Sequence, residues 1–218
     1  MALNATKLVI FDLDGTLIDS LDDLTDAANH MRRAFNLPAL STSDVRKLIG
    51  EGGRRLVARA LPGLAPEEHD LGLEIFLRYN YEQIAVRTSC YPGVPETLER
   101  LADSGYILAV ASNKNEALCR KILRILEVDR CLAAILGADS VAERKPSPEP
   151  LFHLMRQFEC DVAETVMVGD SINDMLAGKA AGVFTIGCDY GYGVREELEL
   201  ADCVISSFPE VMRVLTST

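Results

Sequence analysis

Two aspartates, Asp12 and Asp14, stand two positions apart directly after the apolar run Leu8-Val9-Ile10-Phe11, and Gly15 follows them. A run of this kind forms a strand buried on both faces, as in a parallel sheet. Burying a carboxylate is costly unless it is paired or bound to metal. A strand that ends in two acids therefore delivers them to a solvent-open crevice or to a cation. In open α/β sheets both can hold, because ligands bind in the crevice beyond the strands' C-terminal ends. The plainer alternative is an acidic turn with ordinary capping aspartates.

Three more places carry polar residues that a buried sheet does not need. Ser112 follows the apolar run Tyr106 to Ala111, Lys145 precedes Pro146 in a loop, and Asp170 and Asp174 follow Thr165 to Gly169. Singly, each has a structural use: Ser112 as a helix cap, Lys145 as a solvated lysine, Asp170 to Asp174 as N-cap chemistry. Together they share one edge of a parallel sheet and converge on one crevice. Several carboxylates around one point repel each other unless a hard divalent cation neutralises them, and oxygen ligands favour Mg²⁺, which also binds phosphate. A carboxylate can attack phosphorus to form an aspartyl-phosphate. The second acid of a pair can protonate the leaving alkoxide and later activate water. A lysine, a hydroxyl and backbone N–H groups would hold the phosphoryl oxygens.

The elements that must position these residues read as follows. Ser20 with Asp23 gives a capping pattern for a helix through Leu21, Leu24, Ala28, Met31 and Phe35. Ser41 to Asp44 starts a second helix, the loop Gly50-Glu51-Gly52-Gly53 interrupts it, and Leu56, Val57, Ala60 and Leu61 resume helical spacing. Pro66 opens a longer helix through Ile75, Phe76, Tyr79 and Ile84. Residues 20 to 87 thus read as all-helical. Beyond Tyr91-Pro92-Gly93 strands alternate with helices, with a helix from Glu96, strands at 106–111, 134–136, 165–168, 183–187 and 203–205, and a helix from Ile172 to Ala181. That rhythm implies βαβ units and a parallel sheet. The expected fold is α/β, a Rossmann-like parallel sheet with helices on both faces and a small all-helical insert after the first strand. The core comprises residues 1–18 and 88–218, and the insert residues 19–87, placed as a lid over the first strand's C-terminal end.

With 218 residues, 48% hydrophobic and 25% charged, the chain can bury a core without staples. Its formal charge of −11 argues against nucleic acid or an anionic membrane surface as a partner. Six cysteines without a CxxC pair read as reduced, structural thiols. The lead Met1 to Lys7 has no signal-peptide core, and no apolar run is long enough to span a bilayer. The cytoplasm is the expected setting.

The stretches Asp12-Leu13-Asp14-Gly15-Thr16, Ser112, Lys145-Pro146 and Gly169-Asp170-Ser171-Ile172-Asn173-Asp174 resemble the four motifs of the haloacid dehalogenase superfamily in its phosphatase branch. The resemblance covers essentially the whole chain. It implies Asp12 as nucleophile and Asp14 as general acid/base, with the Asp14 backbone carbonyl on Mg²⁺ and Asp170 as the third metal ligand. Ser112 and Lys145 would bind the phosphoryl group, with Thr16 and Asn113 beside them, and Asp174 would support the metal shell or Lys145. The insert would be a C1-type cap. Asp14 to Ser20, Leu48 to Gly52, Tyr91 to Glu96, Ser112-Asn113-Lys114 and Tyr190-Gly191-Tyr192-Gly193 are most similar to phosphoglycolate phosphatases within that superfamily. Pyrophosphatases, sugar-phosphate phosphatases and β-phosphoglucomutases share much of the pattern.

In the insert, Arg46, Lys47, Arg54, Arg55 and Arg59 flank the glycine loop against the single acid Glu51. One reading makes Gly50, Lys47, Arg54 and Arg55 a basic contact for the leaving group of a small phosphorylated metabolite. The other is a solvated basic face. Arg59 fits the solvated face best. The expected activity is Mg²⁺-dependent phosphomonoester hydrolysis by a monomer or homodimer, with 2-phosphoglycolate the expected substrate. A sugar-phosphate mutase is the alternative. A phospho-accepting receiver domain fits less well, because it needs neither Asp14 nor a lid.

Overall fold

The computed structural model describes residues 5–216. The expectations for Met1 to Asn4 at the N-terminal lead lie outside the described residues. At the centre is β1 (Leu8–Phe11), buried along its whole length. It pairs in parallel with β4 (Ile107–Ala111) on one side and β6 (Thr165–Gly169) on the other. With β5 (Ala134–Leu136), β7 (Phe184–Cys188) and β8 (Cys203–Ile205) it forms a six-stranded parallel sheet of order β5-β4-β1-β6-β7-β8. The chain leaves β1 toward one edge and later returns to pair on its other side. That reversal opens a crevice at the C-terminal end of β1, between the flanking strands.

Alternation along β1 builds two cores. Val9 and Phe11 face one side, packing with α5 (Val94–Asp103), α6 (Glu116–Ile125) and α9 (Glu210–Thr216) through Leu98, Ile122 and Leu215. Leu8 and Ile10 face the other, against α7 (Glu149–Gln157) and α8 (Ile172–Ala181) through Leu151, Leu154 and Ala177. Both faces are covered, as continuous apolar strands require. The α5 helix begins two residues before the expected Glu96: Gly93 turns the chain at φ +80° and Pro95 sits in the first turn, where no N–H bond is lost.

Between β1 and β4 lie α1 (Leu21–Ala34), α2 (Thr42–Arg46), α3 (Gly53–Ala60) and α4 (Pro66–Glu82). They share their own buried cluster, including Met31, Val45, Val57 and Phe76. Ser41 and Asp44 form the capping box of α2, and Pro66 opens α4. A short antiparallel pair, β2 (Ile18–Asp19) with β3 (Ser89–Cys90), ties the two chain crossings together. One expected cap is absent. Ser20 does not cap α1 with its side chain; its hydroxyl donates to Asp14, and Asp23 instead accepts from the backbone of Arg87 and Thr88. Among the described residues no helix is long and apolar enough to cross a membrane, and all six cysteines are free thiols.

Candidate active site

Asp12 follows the last residue of β1, where its backbone N–H donates to the Val168 carbonyl of β6 at 2.9 Å. Asp170 follows the last residue of β6, and Asp174 occupies the first turn of α8. Two turns hold these groups tight. At Gly15 (φ +91°) a Cβ would fall 2.3 Å from an Asp170 carboxylate oxygen, so only glycine fits there. Ser171 caps α8 with Asp174 in a capping box, which fixes one oxygen of Asp174.

The result is a group of three buried carboxylates, Asp12, Asp170 and Asp174, with one oxygen from each within 4.8 Å of the others. Lys145 reaches into it, its Nζ donating to Asp12 at 2.8 Å and Asp174 at 2.6 Å. One ammonium cannot balance three carboxylates. Burial, with the like charges of Asp174 and Asp14 adding, pushes Asp12 up to about 6 although Lys145 opposes the shift. Burial, then Asp12 and Asp174, pushes Asp170 up to about 8, against the opposing N–H bonds from Tyr192 and Gly193. For Lys145 burial acts downward, and the attraction of Asp12 and Asp174 outweighs it, so the ammonium is held above its ordinary range. An all-oxygen, over-charged, buried donor set is what a hard divalent cation takes.

Asp14 stands apart from that group. Lys114 Nζ donates to both its oxygens at 2.9 Å, and the Ser20 hydroxyl donates to one of them at 2.5 Å. The expectation that Asp14 serves a metal concerned its backbone carbonyl, and the side chain is committed elsewhere. Behind it, the Tyr192 hydroxyl accepts from the Ser20 N–H at 2.6 Å and donates to Asp19 at 2.9 Å. The same loop holds Asp170, which accepts from the N–H of Tyr192 at 2.7 Å and of Gly193 at 3.3 Å. Lys114, Ser20 and Tyr192 were not foreseen as site residues. The one signal for Lys114 was a lysine two positions past Ser112 at a strand end.

A cavity of about 60 Å³ opens over these groups. Asp12, Asp14, Ser112, Lys114 and Lys145 line it from the sheet, and Leu24, Leu56, Phe76, Leu77 and Asn80 from the helical unit. Ser112 is buried and its Oγ accepts from the Lys114 N–H at 3.2 Å. Gly50 also lines the cavity, and its carbonyl accepts from Asn113 at 2.9 Å and Asn173 at 3.3 Å. Asn113 Nδ2 donates to the Lys145 carbonyl as well.

Three of the expected substrate contacts, Thr16, Arg54 and Arg55, take other roles. The Thr16 hydroxyl is fully buried and donates to Asp170 at 3.1 Å, supporting a carboxylate rather than facing the cavity. Arg54 pairs with Asp70 and Arg55 with Glu51, both with largely exposed side chains and neither lining the cavity. Leu56, Val57 and Ala60 face inward on α3, which turns Arg54 and Arg55 to solvent. Lys47 pairs with Asp44 and, with Arg46 and Arg59, lines an adjoining cleft that meets the same site at Asp12, Asp14 and Asp170. Arg46 spans to the sheet side, donating to the carbonyls of Gly191 at 2.5 Å and Tyr192 at 3.0 Å.

Comparison with known proteins agrees with this geometry. The family model described as haloacid dehalogenase-like hydrolase matches residues 9–188. A phosphoglycolate phosphatase of Mesorhizobium japonicum is 39% identical over 206 residues, covering 92% of this chain and 91% of its own. One from Neisseria meningitidis is 38% identical over 220 residues, covering 96% and 94%. The crystal structure of a predicted phosphoglycolate phosphatase from Haemophilus somnus superposes with a TM-score of 0.92 at 34% identity, covering 96% of this chain and 98% of that one. The family match spans most of the chain and includes Asp12, Asp14, Ser112, Lys145 and Asp170, so the chain belongs to the haloacid dehalogenase-like hydrolases.

Proposed function

We propose that this protein is a Mg²⁺-dependent phosphomonoesterase acting on a small phosphorylated metabolite, 2-phosphoglycolate, through an aspartyl-phosphate. The observation that carries it is the division of labour between two neighbouring acids: Asp12 lies in the carboxylate group with Lys145, and Asp14 is held outside it by Lys114. Asp12, Asp170 and Asp174 would hold Mg²⁺ or support it, with the Asp14 carbonyl, and the ion would neutralise charge on the phosphoryl oxygens.

The protein's own groups then divide as follows. An Asp12 oxygen attacks phosphorus as the ester P–O bond breaks, and Asp14 gives its proton to the departing alkoxide. Lys145 and the Ser112 hydroxyl hold the transferring phosphoryl oxygens. Asp14, now a base, takes a proton from water, which attacks phosphorus and frees Asp12 and inorganic phosphate. Residues 19–87 act as a cap that excludes bulk water during these steps. The glycolate ester is supported by the names of the relatives above and by a small cavity.

A phosphate-release screen over 2-phosphoglycolate, pyrophosphate, sugar phosphates and nucleotides tests the reading. The highest kcat/KM is expected on 2-phosphoglycolate, with activity lost in chelator. A better ester would replace the substrate, and a sugar-phosphate isomer as product would replace hydrolysis by mutase chemistry.

The metal reading has its own test. In the metal-free protein Asp12 and Asp170 keep protons up to about pH 6 and about pH 8, whereas the unfolded chain releases them near 3.8. The folded state binds more protons across that window, so metal-free stability falls as pH rises from about 4 to about 8. Mg²⁺ displaces those protons and gains affinity over the same range. At roughly 100 times its Kd it should raise Tm by roughly 5–10 °C. At one fixed Mg²⁺ concentration the rise in scanning calorimetry should be larger at pH 8 than at pH 6; equal shifts would count against these carboxylates as the ligands.

A further inference from the structure

The apolar side of the cavity contains one polar side chain that the chemistry above leaves unused. Asn80 on α4 is 5% exposed and lines the cavity beside Leu24, Leu56, Phe76 and Leu77. Its carboxamide makes no hydrogen bond among the described residues. A buried amide without a partner is destabilising, and the other buried asparagines near the cavity are used. Asn113 spends its Nδ2 on Gly50 and Lys145, and Asn173 donates to Gly50. A bare amide facing a small cavity fits a ligand group.

The position of Lys114 says which group. A leaving-group oxygen that takes a proton from Asp14 must come within hydrogen-bond reach of it. In a glycolate ester the carboxylate carbon lies only two bonds from that oxygen, so the carboxylate must land close to Asp14. There the Lys114 ammonium sits 2.9 Å from both Asp14 oxygens, with a third N–H left over. Lys114 and Lys145 are the two cationic side chains lining this cavity among the described residues, while Arg46, Lys47 and Arg59 line the adjoining cleft that meets the site at Asp12, Asp14 and Asp170.

Resting on the phosphatase reading above, we propose that Asn80 and Lys114 form the leaving-group subsite and select a carboxylate. Asn80 Nδ2 donates to the substrate carboxylate from the helical side, and Lys114 supplies the opposite charge from the sheet side. Asn113 cannot take this part, because its remaining buried atom, Oδ1, is an acceptor and repels a carboxylate. Asn80 is thus the specificity residue of this cavity, in place of Arg54 and Arg55.

The test compares kcat/KM on 2-phosphoglycolate with that on ethyl phosphate, which has the same chain length and no carboxylate, for wild type, Asn80→Leu and Asn80→Asp. Leucine matches the apolar surroundings and the size of asparagine, so Asn80→Leu decides alone if the aspartate variant does not fold. Wild type should prefer 2-phosphoglycolate. That preference should fall about tenfold or more in Asn80→Leu, through a raised KM, as loss of one charge-assisted hydrogen bond implies. It should fall further in Asn80→Asp, where two carboxylates oppose each other. An equal loss on both esters, or a preference that survives both variants, overturns the subsite alone. A wild-type enzyme with no preference overturns the glycolate reading and the subsite with it.

Discussion

Asp12→Asn should abolish phosphate release, by at least roughly 10⁴-fold at saturating Mg²⁺, while the metal-free variant folds and melts no lower than metal-free wild type. The two halves of that result have different causes. An amide oxygen is a poor nucleophile and cannot form the acyl-phosphate, so turnover goes with it. Stability does not follow, because the folded protein already penalises the ionised Asp12. Burial pushes its carboxyl up to about 6, and its neighbours Asp174 and Asp14 push in the same direction. Asparagine removes one of three crowded charges and keeps an oxygen to accept from Lys145, which stands 2.8 Å from Asp12. Phosphate release and a melting curve on one preparation read both halves. Retention of more than about 1% of wild-type turnover would contradict the nucleophile assignment.

At Lys145 both stability and turnover are expected to fall. Its side chain is 2% exposed and bridges Asp12 and Asp174, the latter fully buried. Lys145→Met keeps most of the volume of the stem and removes the ammonium. The two partners then lose the one cation that the structure places on both of them, and truncating one side of a buried charge pair costs about 3–5 kcal/mol. For a chain of this size that corresponds to a Tm lower by roughly 10 °C in the metal-free protein. Added Mg²⁺ should restore part of it, since the ion supplies the missing positive charge. Turnover should fall by about 10²–10³-fold, the size of losing one preorganised donor to the phosphoryl group. An unchanged Tm without metal would show that the carboxylates are balanced by something else.

The sheet and the carboxylate group were legible because they break a rule in the sequence itself. Asp12 and Asp170 each end an apolar run, where an acid has no structural use, and Asp174 sits three residues past a capping serine. The α8 helix also has both its boundaries as read, since Ser171 and Gly182 mark its ends. Other features were hidden for physical reasons. The two-residue strands β2 and β3 are too short to show alternation. Lys114 looks like the approach to a helix, and only the folded chain brings it to Asp14, a hundred positions earlier. Asn80 occupies a polar-looking place in α4 and turns out buried. The basic run on α3 misled because charge was weighed without direction. The spacing of Leu56, Val57 and Ala60 already fixes which way Arg54 and Arg55 must point.

Arg46 of the insert grips the Gly191 and Tyr192 carbonyls beside the carboxylate group. The bonds that join the insert to the rest of the chain at this seam, from Arg46, Asn113 and Asn173, all end on backbone carbonyls. Carbonyls accept as readily from water, and each such exchange nets only about 0.5–1.5 kcal/mol. These bonds therefore hold the seam only weakly. The same loop presents the N–H groups that steady Asp170, so one arginine of the insert braces from outside the turn that holds a buried carboxylate.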